Sequence, residues 1–183
     1  MSTTAPGILL LLLLNVWPAK AHRLDEYLQA IRVAVTTNSV ELSIDLTPGV
    51  AVLPQVIAVV DADADGWISE AERDAYAKEF VKDLRAGLDN RSLHLSLTSA
   101  EFPALHEMKG GLGVIRIKAT APTGHLTNGP HSVTLTNAHL PAISVHLVNA
   151  LVPRHPTIQI TGQFRDELQK GYRLNFGVAP SVR

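Results

Sequence analysis

The sequence predicts a mainly β, β-sandwich-like domain that carries one inserted helical segment. Apolar and polar residues alternate in several short segments, and clusters of glycine, proline and asparagine separate those segments. One segment, residues 69–88, instead places its apolar residues at steps of three and four, which is typical of a helix. A chain of 183 residues is long enough to bury the core of one such domain.

The N-terminus predicts a signal peptide, residues 1–21, rather than part of the fold. The stretch "ILLLLLLNVW" is an apolar run of about ten residues, which suits a signal peptide and is too short to span a bilayer. Ala19 and Ala21 give the small-residue pattern that signal peptidase accepts, so we expect cleavage after Ala21 and a mature chain that starts at His22. An uncleaved membrane anchor is the alternative. We therefore expect an exported protein, periplasmic or secreted, with residues 22–183 as a single domain.

The first two strands are expected to form a hairpin. "YLQAIRVAV" is rich in β-branched residues, "SVELSIDL" alternates apolar with polar residues, and the turn-forming residues "TTNS" lie between them. The alternation indicates a half-buried strand. Its apolar face consists of Val40, Leu42, Ile44 and Leu46.

Six later segments are also expected to be strands, because each alternates apolar with polar residues. In chain order they are "SLHLSLT", "VIRIKAT", "SVTLT", "ISVHLV", "TIQIT" and "GYRLNFGV". Two of them contain a histidine among apolar neighbours. Because the polar face of a strand commonly carries such residues, we expect His94 and His146 to face solvent.

The inserted segment is expected to cover residues 55–89, with one amphipathic helix of about five turns over residues 69–88. Ser69 and Glu72 form the S-x-x-E signal of a helix start, and "GLDN" is a stop signal. On the incoming side, Pro54 limits any helix to about two turns, over residues 55–61. A strand at that place is the alternative.

Between these two sides lies an acidic loop, residues 61–72, with the sequence "DADADGWISEAE". The loop of an EF-hand supplies ligands from positions 1, 3, 5, 7, 9 and 12 and has glycine at position 6. Numbered from Asp61, oxygen-bearing side chains occupy the required positions, and Gly66 lies at position 6, where the chain turns sharply. Position 7 contributes only its backbone carbonyl. The expected metal ligands are Asp61, Asp63, Asp65, Trp67, Ser69 and Glu72.

The ligand set predicts calcium as the cofactor. Ca²⁺ takes roughly six to eight oxygens, and a bidentate Glu72 favours it over Mg²⁺, which needs a tighter shell. The alternative is structural, since Ser69 and Glu72 also match an ordinary capping box. A chance match at every constrained position is expected in about one chain of this length in ten thousand. Because the sequence has no second loop of this kind, we expect a dissociation constant on the order of 10⁻⁴ to 10⁻³ M and a structural role for the ion.

Composition and motifs exclude several other classes of site. The net charge of -1 and the lack of a basic block indicate no nucleic-acid partner. The chain has no cysteine, so disulfides, thiolate metal sites and cysteine nucleophiles are excluded. No G-x-S-x-G, H-E-x-x-H or P-loop pattern occurs, and we do not expect an enzyme. A terminal His22, with the new amino group, is a minor candidate ligand for Cu²⁺ or Ni²⁺.

Several longer stretches carry a family resemblance. They are "HRLDEYLQA", "DLTPGVAV", the acidic loop with its helix, "HLPAISVHLVNALVP" and "QFRDELQKGYRLNF". Together they resemble the exported N-terminal region of some HupE/UreJ-type membrane proteins and of short stand-alone relatives. The larger proteins look like accessories of nickel or cobalt permeases. The resemblance implies an alternative function, a periplasmic accessory module for such a permease or another membrane partner. Transport by this chain alone is not expected, because no segment after the signal peptide is apolar and long enough to span a membrane.

Overall fold

The computed structural model describes residues 25–180. The predicted signal peptide, its cleavage site after Ala21 and the candidate ligand His22 lie outside the described residues. Within residues 25–180, no helix combines the length and the apolar character needed to cross a bilayer. The described chain is mostly β, as the sequence predicts, and its strands form two sheets.

The described residues contain ten strands and three helices. In chain order they are β1 (Tyr27–Val35), β2 (Ser39–Pro48), α1 (Leu53–Val60), α2 (Glu70–Lys82), β3 (Leu84–Leu88), β4 (Arg91–Leu93), β5 (Ser96–Glu101), α3 (Leu105–Lys109), β6 (Ile115–Pro122), β7 (Gly129–Asn137), β8 (Ser144–Ala150), β9 (Ile158–Arg165) and β10 (Gly171–Val178). The predicted hairpin is confirmed, because β1 pairs with β2 antiparallel.

Each sheet has five strands. The first sheet has the order β5-β6-β2-β1-β8, and the second has the order β4-β3-β7-β10-β9. The pairing of β1 with β8 is parallel, and every other pair is antiparallel. Apolar side chains from both sheets belong to one hydrophobic core, in which Leu42 and Ile117 represent the first sheet and Leu135 and Phe176 the second. The alternating pattern therefore places one apolar face of each sheet in a shared interior.

The predicted single strand "SLHLSLT" is wrong, because the chain changes sheet within it. Residues Arg91–Leu93 form β4 in the second sheet, and Ser96–Glu101 form β5 in the first. His94 is exposed, as expected, while Leu95 is buried in the crossing. Alternation records which side chains are buried, but it does not record which of two sheets a strand joins.

The predicted helix over residues 69–88 is too long. Helix α2 ends at Lys82, and the last residues of the prediction form strand β3, which pairs with β7. The sequence "LRAGL" fits both periods, because Leu84 and Leu88 lie four residues apart and also alternate with polar or small residues. Sheet pairing decides between the two periods, so the helical segment between β2 and β3 is shorter than the predicted insertion over residues 55–89.

On the incoming side, the structure chooses the helix rather than the strand. Helix α1 has eight residues, and Pro54 lies in its first turn, where a missing N–H costs no hydrogen bond. Leu53, Val56 and Val60 are buried on one side of it. The chain therefore enters the acidic loop from a helix of about two turns, as the position of Pro54 predicts.

A buried network of polar side chains joins α2 to both sheets. Tyr76 of α2 contacts Tyr27 of β1, with their hydroxyls 2.6 Å apart, and lies 3.0 Å from Nε2 of His139. Nδ1 of His139 lies 2.8 Å from the carboxylate of Asp83, the residue that caps α2. Tyr27, Tyr76 and His139 are almost fully buried. Because burial lowers the pKa of His139 more than Asp83 raises it, the imidazole is neutral.

Because His139 is neutral, the direction of each hydrogen bond that links Tyr27, Tyr76, His139 and Asp83 is determined. The Asp83 carboxylate can only accept, so Nδ1 of His139 donates to it. Nε2 then accepts from the Tyr76 hydroxyl, which in turn accepts from Tyr27. Burial also raises the pKa of both tyrosines, which keeps them protonated. The three groups therefore form one fully satisfied chain that ends at a partly exposed carboxylate.

A second branch of the network reaches the second sheet. The Asn137 side-chain amide, at the end of β7, donates to Gln29 of β1 at 2.7 Å and accepts from the His139 N–H at 2.9 Å. Gln29 donates to the His139 carbonyl at 3.2 Å and to the Ser144 hydroxyl at 2.6 Å. These side chains satisfy the N–H and the carbonyl of His139, the buried residue of the turn between β7 and β8.

The expectation that His146 faces solvent is wrong. His146 is 2 % exposed and points to the same side of the first sheet as Gln29, its neighbour on β1. Neither ring nitrogen has a hydrogen-bond partner. Burial lowers the pKa of His146, Lys170 and His139 lower it further, and Asp166 opposes them. The alternation of apolar and polar residues predicted the wrong face for His146, because the more apolar residues of β8, Val145 and Leu147, face outward.

We predict that Tyr76→Phe lowers the free energy of unfolding by about 1–3 kcal/mol, because Tyr27 and His139 each lose a buried partner. Urea denaturation at pH 7.5 measures the change. Tyr172→Phe is the matched control, since its hydroxyl bonds Gln163 in a partly buried setting. Equal losses from the two variants would show that the network contributes no more than an ordinary hydrogen bond.

A second prediction concerns acid. Because the folded pKa of His146 lies below the ordinary value of 6.5, the unfolded chain binds more protons just below pH 6.5. The pH-dependent cost of burying His146 is therefore absent above about pH 6.5 and grows as the pH drops toward its folded pKa. His146→Leu should raise the free energy of unfolding at pH 7.5 by about 1 kcal/mol. It should also lose less stability than the wild type when the pH falls from 7.5 to 5.5.

The exposed His94 supplies the control for this measurement. His94→Gln should keep the wild-type difference between the two pH values. His139 also has a lowered pKa and stays in both variants, so some acid sensitivity should persist in His146→Leu. An unchanged difference in His146→Leu would contradict the assignment.

Candidate metal centre

The acidic loop connects the C-terminus of α1 to the N-terminus of α2, and the two helices contact each other. Asp61 caps α1, its N–H donating to the Ile57 carbonyl at 2.8 Å. Helix α2 begins at Glu70, the tenth residue of the loop. Both ends of the loop are therefore fixed to helices.

Three predicted ligands converge in this loop. One carboxylate oxygen from each of Asp61, Asp63 and Asp65 lies within 4.8 Å of the other two. Asp61 is buried and the other two are exposed. Within residues 25–180, this is the one group of three or more acidic, histidine or cysteine side chains close enough to share a metal ion.

Asp61 organises the turn around itself. Its two carboxylate oxygens accept from the backbone N–H groups of Asp65 at 3.1 Å and Gly66 at 3.0 Å. The Asp63 carboxylate also accepts from Asp65, at 3.2 Å, and the Asp65 carboxylate accepts from Trp67 at 2.7 Å. Gly66 has a φ of +85°, so glycine is the residue that makes this turn without strain. The aspartates converge because the loop folds back over the first of them.

Glu72 closes the loop from the other end. Its Oε1 accepts from the Ala62 N–H at 2.8 Å, and its Oε2 accepts from the N–H and the hydroxyl of Ser69, both at 2.8 Å. The Ser69 hydroxyl in turn accepts from the Glu72 N–H at 3.2 Å, which completes a capping box. These bonds, those from Ser69 first, lower the pKa of Glu72. The structural reading of Ser69 and Glu72 is therefore confirmed as a capping box.

The six predicted ligands thus fall into two groups. Asp61, Asp63 and Asp65 lie together, whereas Ser69 and Glu72 bond each other and the backbone and are not part of the aspartate group. The Trp67 side chain is 78 % exposed, and the next residue, Ile68, is buried. The loop therefore brings together three of the six predicted ligands. Its last residue, Glu72, accepts a hydrogen bond from its second, Ala62.

The donor set of the aspartate group fits a hard cation. Carboxylate oxygens suit Ca²⁺ and Mg²⁺, whereas Ni²⁺ and Cu²⁺ bind imidazole more readily, and no histidine belongs to the group. A carboxylate has about four lone-pair sites, so the hydrogen bonds that Asp61 and Asp63 accept leave sites for an ion. The chemistry of the residues present is therefore compatible with calcium.

Sequence reasoning missed one residue that holds this loop. The Arg73 Nε donates to the Ile68 carbonyl at 3.1 Å and so ties the end of the loop to α2. A charged residue in the first turns of a helix ordinarily indicates a solvated face, and no sequence signal distinguishes this role.

Comparison of the chain with protein-family models, with curated proteins and with solved structures finds no match in any of the three. The resemblance to the exported region of HupE/UreJ-type proteins, and the permease partner that it implies, therefore stay predictions.

We predict that Gly66→Ala lowers the free energy of unfolding by about 1–2 kcal/mol, because a Cβ meets no neighbour but the positive φ is strained. Gly177→Ala is the matched control, since a Cβ there also has open space and φ is not positive. Thermal unfolding in the presence of a chelator measures both. An equal effect of the two substitutions would contradict the role of the turn.

Proposed function

We propose that this protein is an exported calcium-binding protein, in which one EF-hand loop, residues 61–72, holds the ion. The observation that carries the proposal is the convergence of Asp61, Asp63 and Asp65 in a loop that turns at Gly66. The twelve-residue spacing adds Trp67, through its carbonyl, Ser69 and Glu72 as the remaining ligands. Neither observation depends on the other, because the spacing is a property of the sequence and the convergence is one of the fold.

Glu72 is the ligand whose contacts must change. Its oxygens accept hydrogen bonds from Ala62 and Ser69, so binding the ion requires Glu72 to exchange some of them for calcium. Glu72 is ionised at neutral pH, so no proton has to leave, but the hydrogen bonds that lower its pKa are the ones that calcium must replace. The same residue would cap α2 without the ion and bind the ion when calcium is present.

The role that fits best is structural. Four carboxylates in one loop repel each other, and a divalent cation removes that repulsion. The ion would also hold α1 and α2 together. Tyr76 and Asp83 connect α2 to the buried polar network. Calcium would therefore stabilise the whole domain rather than switch it between two folds. An affinity on the order of 10⁻⁴ to 10⁻³ M suffices for such a role outside the cytosol.

We predict that Ca²⁺ binds with measurable heat and raises the melting temperature. At a calcium concentration of about 100 times the dissociation constant, the stabilisation should approach about 2.7 kcal/mol. Mg²⁺ and Ni²⁺ should give a smaller shift. Isothermal titration and thermal unfolding of protein purified after expression of the full chain provide the two measurements.

Four variants assign the ligands. Asp61→Ala should abolish the shift, and Asp63→Asn and Glu72→Gln should each reduce it, because both remove a charge while keeping a hydrogen-bond acceptor. Glu70→Gln removes a neighbouring charge outside the ligand set and should behave as the wild type. The absence of both heat and a melting shift at millimolar Ca²⁺ would refute the proposal.

A further inference from the structure

A groove of about 430 Å³ runs beside the acidic loop. One wall is the end of the loop and the start of α2, with Trp67 and Arg73, and the other wall is the segment around α3, with Pro103, Leu105 and Lys109. The Trp67 side chain is 78 % exposed. The groove therefore combines a large aromatic surface with partly buried apolar side chains.

Calcium binding does not account for the tryptophan. Position 7 of an EF-hand loop supplies only a backbone carbonyl, so any residue can occupy it. The neighbouring Ile68 already anchors the loop in the core. Tryptophan and arginine, in contrast, are enriched among the residues that carry the binding energy of protein interfaces. An exposed tryptophan beside the apolar walls of a groove therefore suits a partner surface.

The charge of the groove indicates the kind of partner. Arg73 and Lys109 line it, and within residues 25–180 neither forms an ion pair. On the outer face of α2, by contrast, Lys78 and Lys82 are paired with carboxylates of their own helix, at 2.6 and 2.7 Å. Two unpaired cations beside apolar surface are complementary to a segment that carries carboxylates next to an apolar side chain.

We propose that this groove docks an acidic peptide segment of a partner protein. An apolar side chain of that segment packs on Trp67, and its carboxylates lie against Arg73 and Lys109. The binding energy comes mainly from the tryptophan, and the two cations select acidic over basic segments.

Docking depends on calcium, and in this respect the inference rests on the proposed function. Without the ion, Asp61, Asp63, Asp65 and Glu72 place four negative charges next to the groove, and these repel an acidic segment. A bound Ca²⁺ halves that charge. Because coupling between two sites is reciprocal, the peptide should raise the affinity for calcium by the factor by which calcium raises the affinity for the peptide.

A random dodecapeptide library displayed on phage tests the proposal without assuming a sequence. The target is protein purified after expression of the full chain, in millimolar Ca²⁺, with counter-selection on Trp67→Ala. We expect enriched peptides that combine aspartate or glutamate with leucine or an aromatic residue. Fluorescence anisotropy then gives the dissociation constant of the most enriched peptide for each variant.

Trp67→Ala should weaken that peptide at least about ten-fold, since hot-spot residues cost that much or more when truncated. Lys109→Gln should weaken it several-fold, whereas Lys78→Gln, outside the groove, should have no effect. A calcium chelator should weaken binding to wild type. Melting temperatures confirm that each variant is folded.

Enriched peptides without acidic residues would overturn the docking proposal, and so would enriched peptides that bind Trp67→Ala as well as wild type. The melting shift with Ca²⁺, measured on the same samples, separates this failure from a failure of the proposed function. A shift without peptide enrichment leaves calcium binding standing and refutes docking. Trp67-dependent binding that a chelator does not change, on protein with no shift, refutes the calcium site and supports the groove.

Discussion

The buried hydrogen-bonded chain from Tyr27 through Tyr76 and His139 to Asp83 is the constraint on which the arrangement of this domain depends. Helix α2 packs mainly against β5 of the first sheet, and the hydrogen bonds of Tyr76 connect it to β1 of the same sheet as well. Through Asn137 the same network reaches β7 of the second. A buried polar group without a partner is costly, so helix, turn and both sheets can adopt only the arrangement that satisfies all of these groups together.

His146 shows the same principle from the opposite side. It lies in the interior near this network, yet both of its ring nitrogens lack partners. The network is thus satisfied where it connects α2 to the sheets and unsatisfied on the edge strand β8. Strand β8 pairs only with β1 in the first sheet. Burial lowers the pKa of His146 in β8 and also that of His139 in the network that holds α2, so acid acts on both places.

The side chains of the acidic loop face different surroundings. Its odd-numbered aspartates face one another, Ile68 enters the core, and Trp67 projects into solvent beside a groove that Arg73 and Lys109 line. One short segment can therefore hold an ion on one side and present an aromatic surface on the other. Arg73 serves both sides, because its Nε holds the Ile68 carbonyl while the residue lines the groove.

The sequence by itself determined the β class, the hairpin of β1 and β2, the upper length of any helix at Pro54 and the turn at Gly66, because period, proline and glycine act locally. It also placed Asp61, Asp63 and Asp65 in one register. Only the tertiary structure decided that a helix, and not a strand, enters the acidic loop. It also decided that Leu84–Leu88 form a strand, that residues 91–101 divide between two sheets and that His146 is buried. In each of these cases the sequence fits two local structures, and the choice depends on pairing or burial against residues far away in the chain.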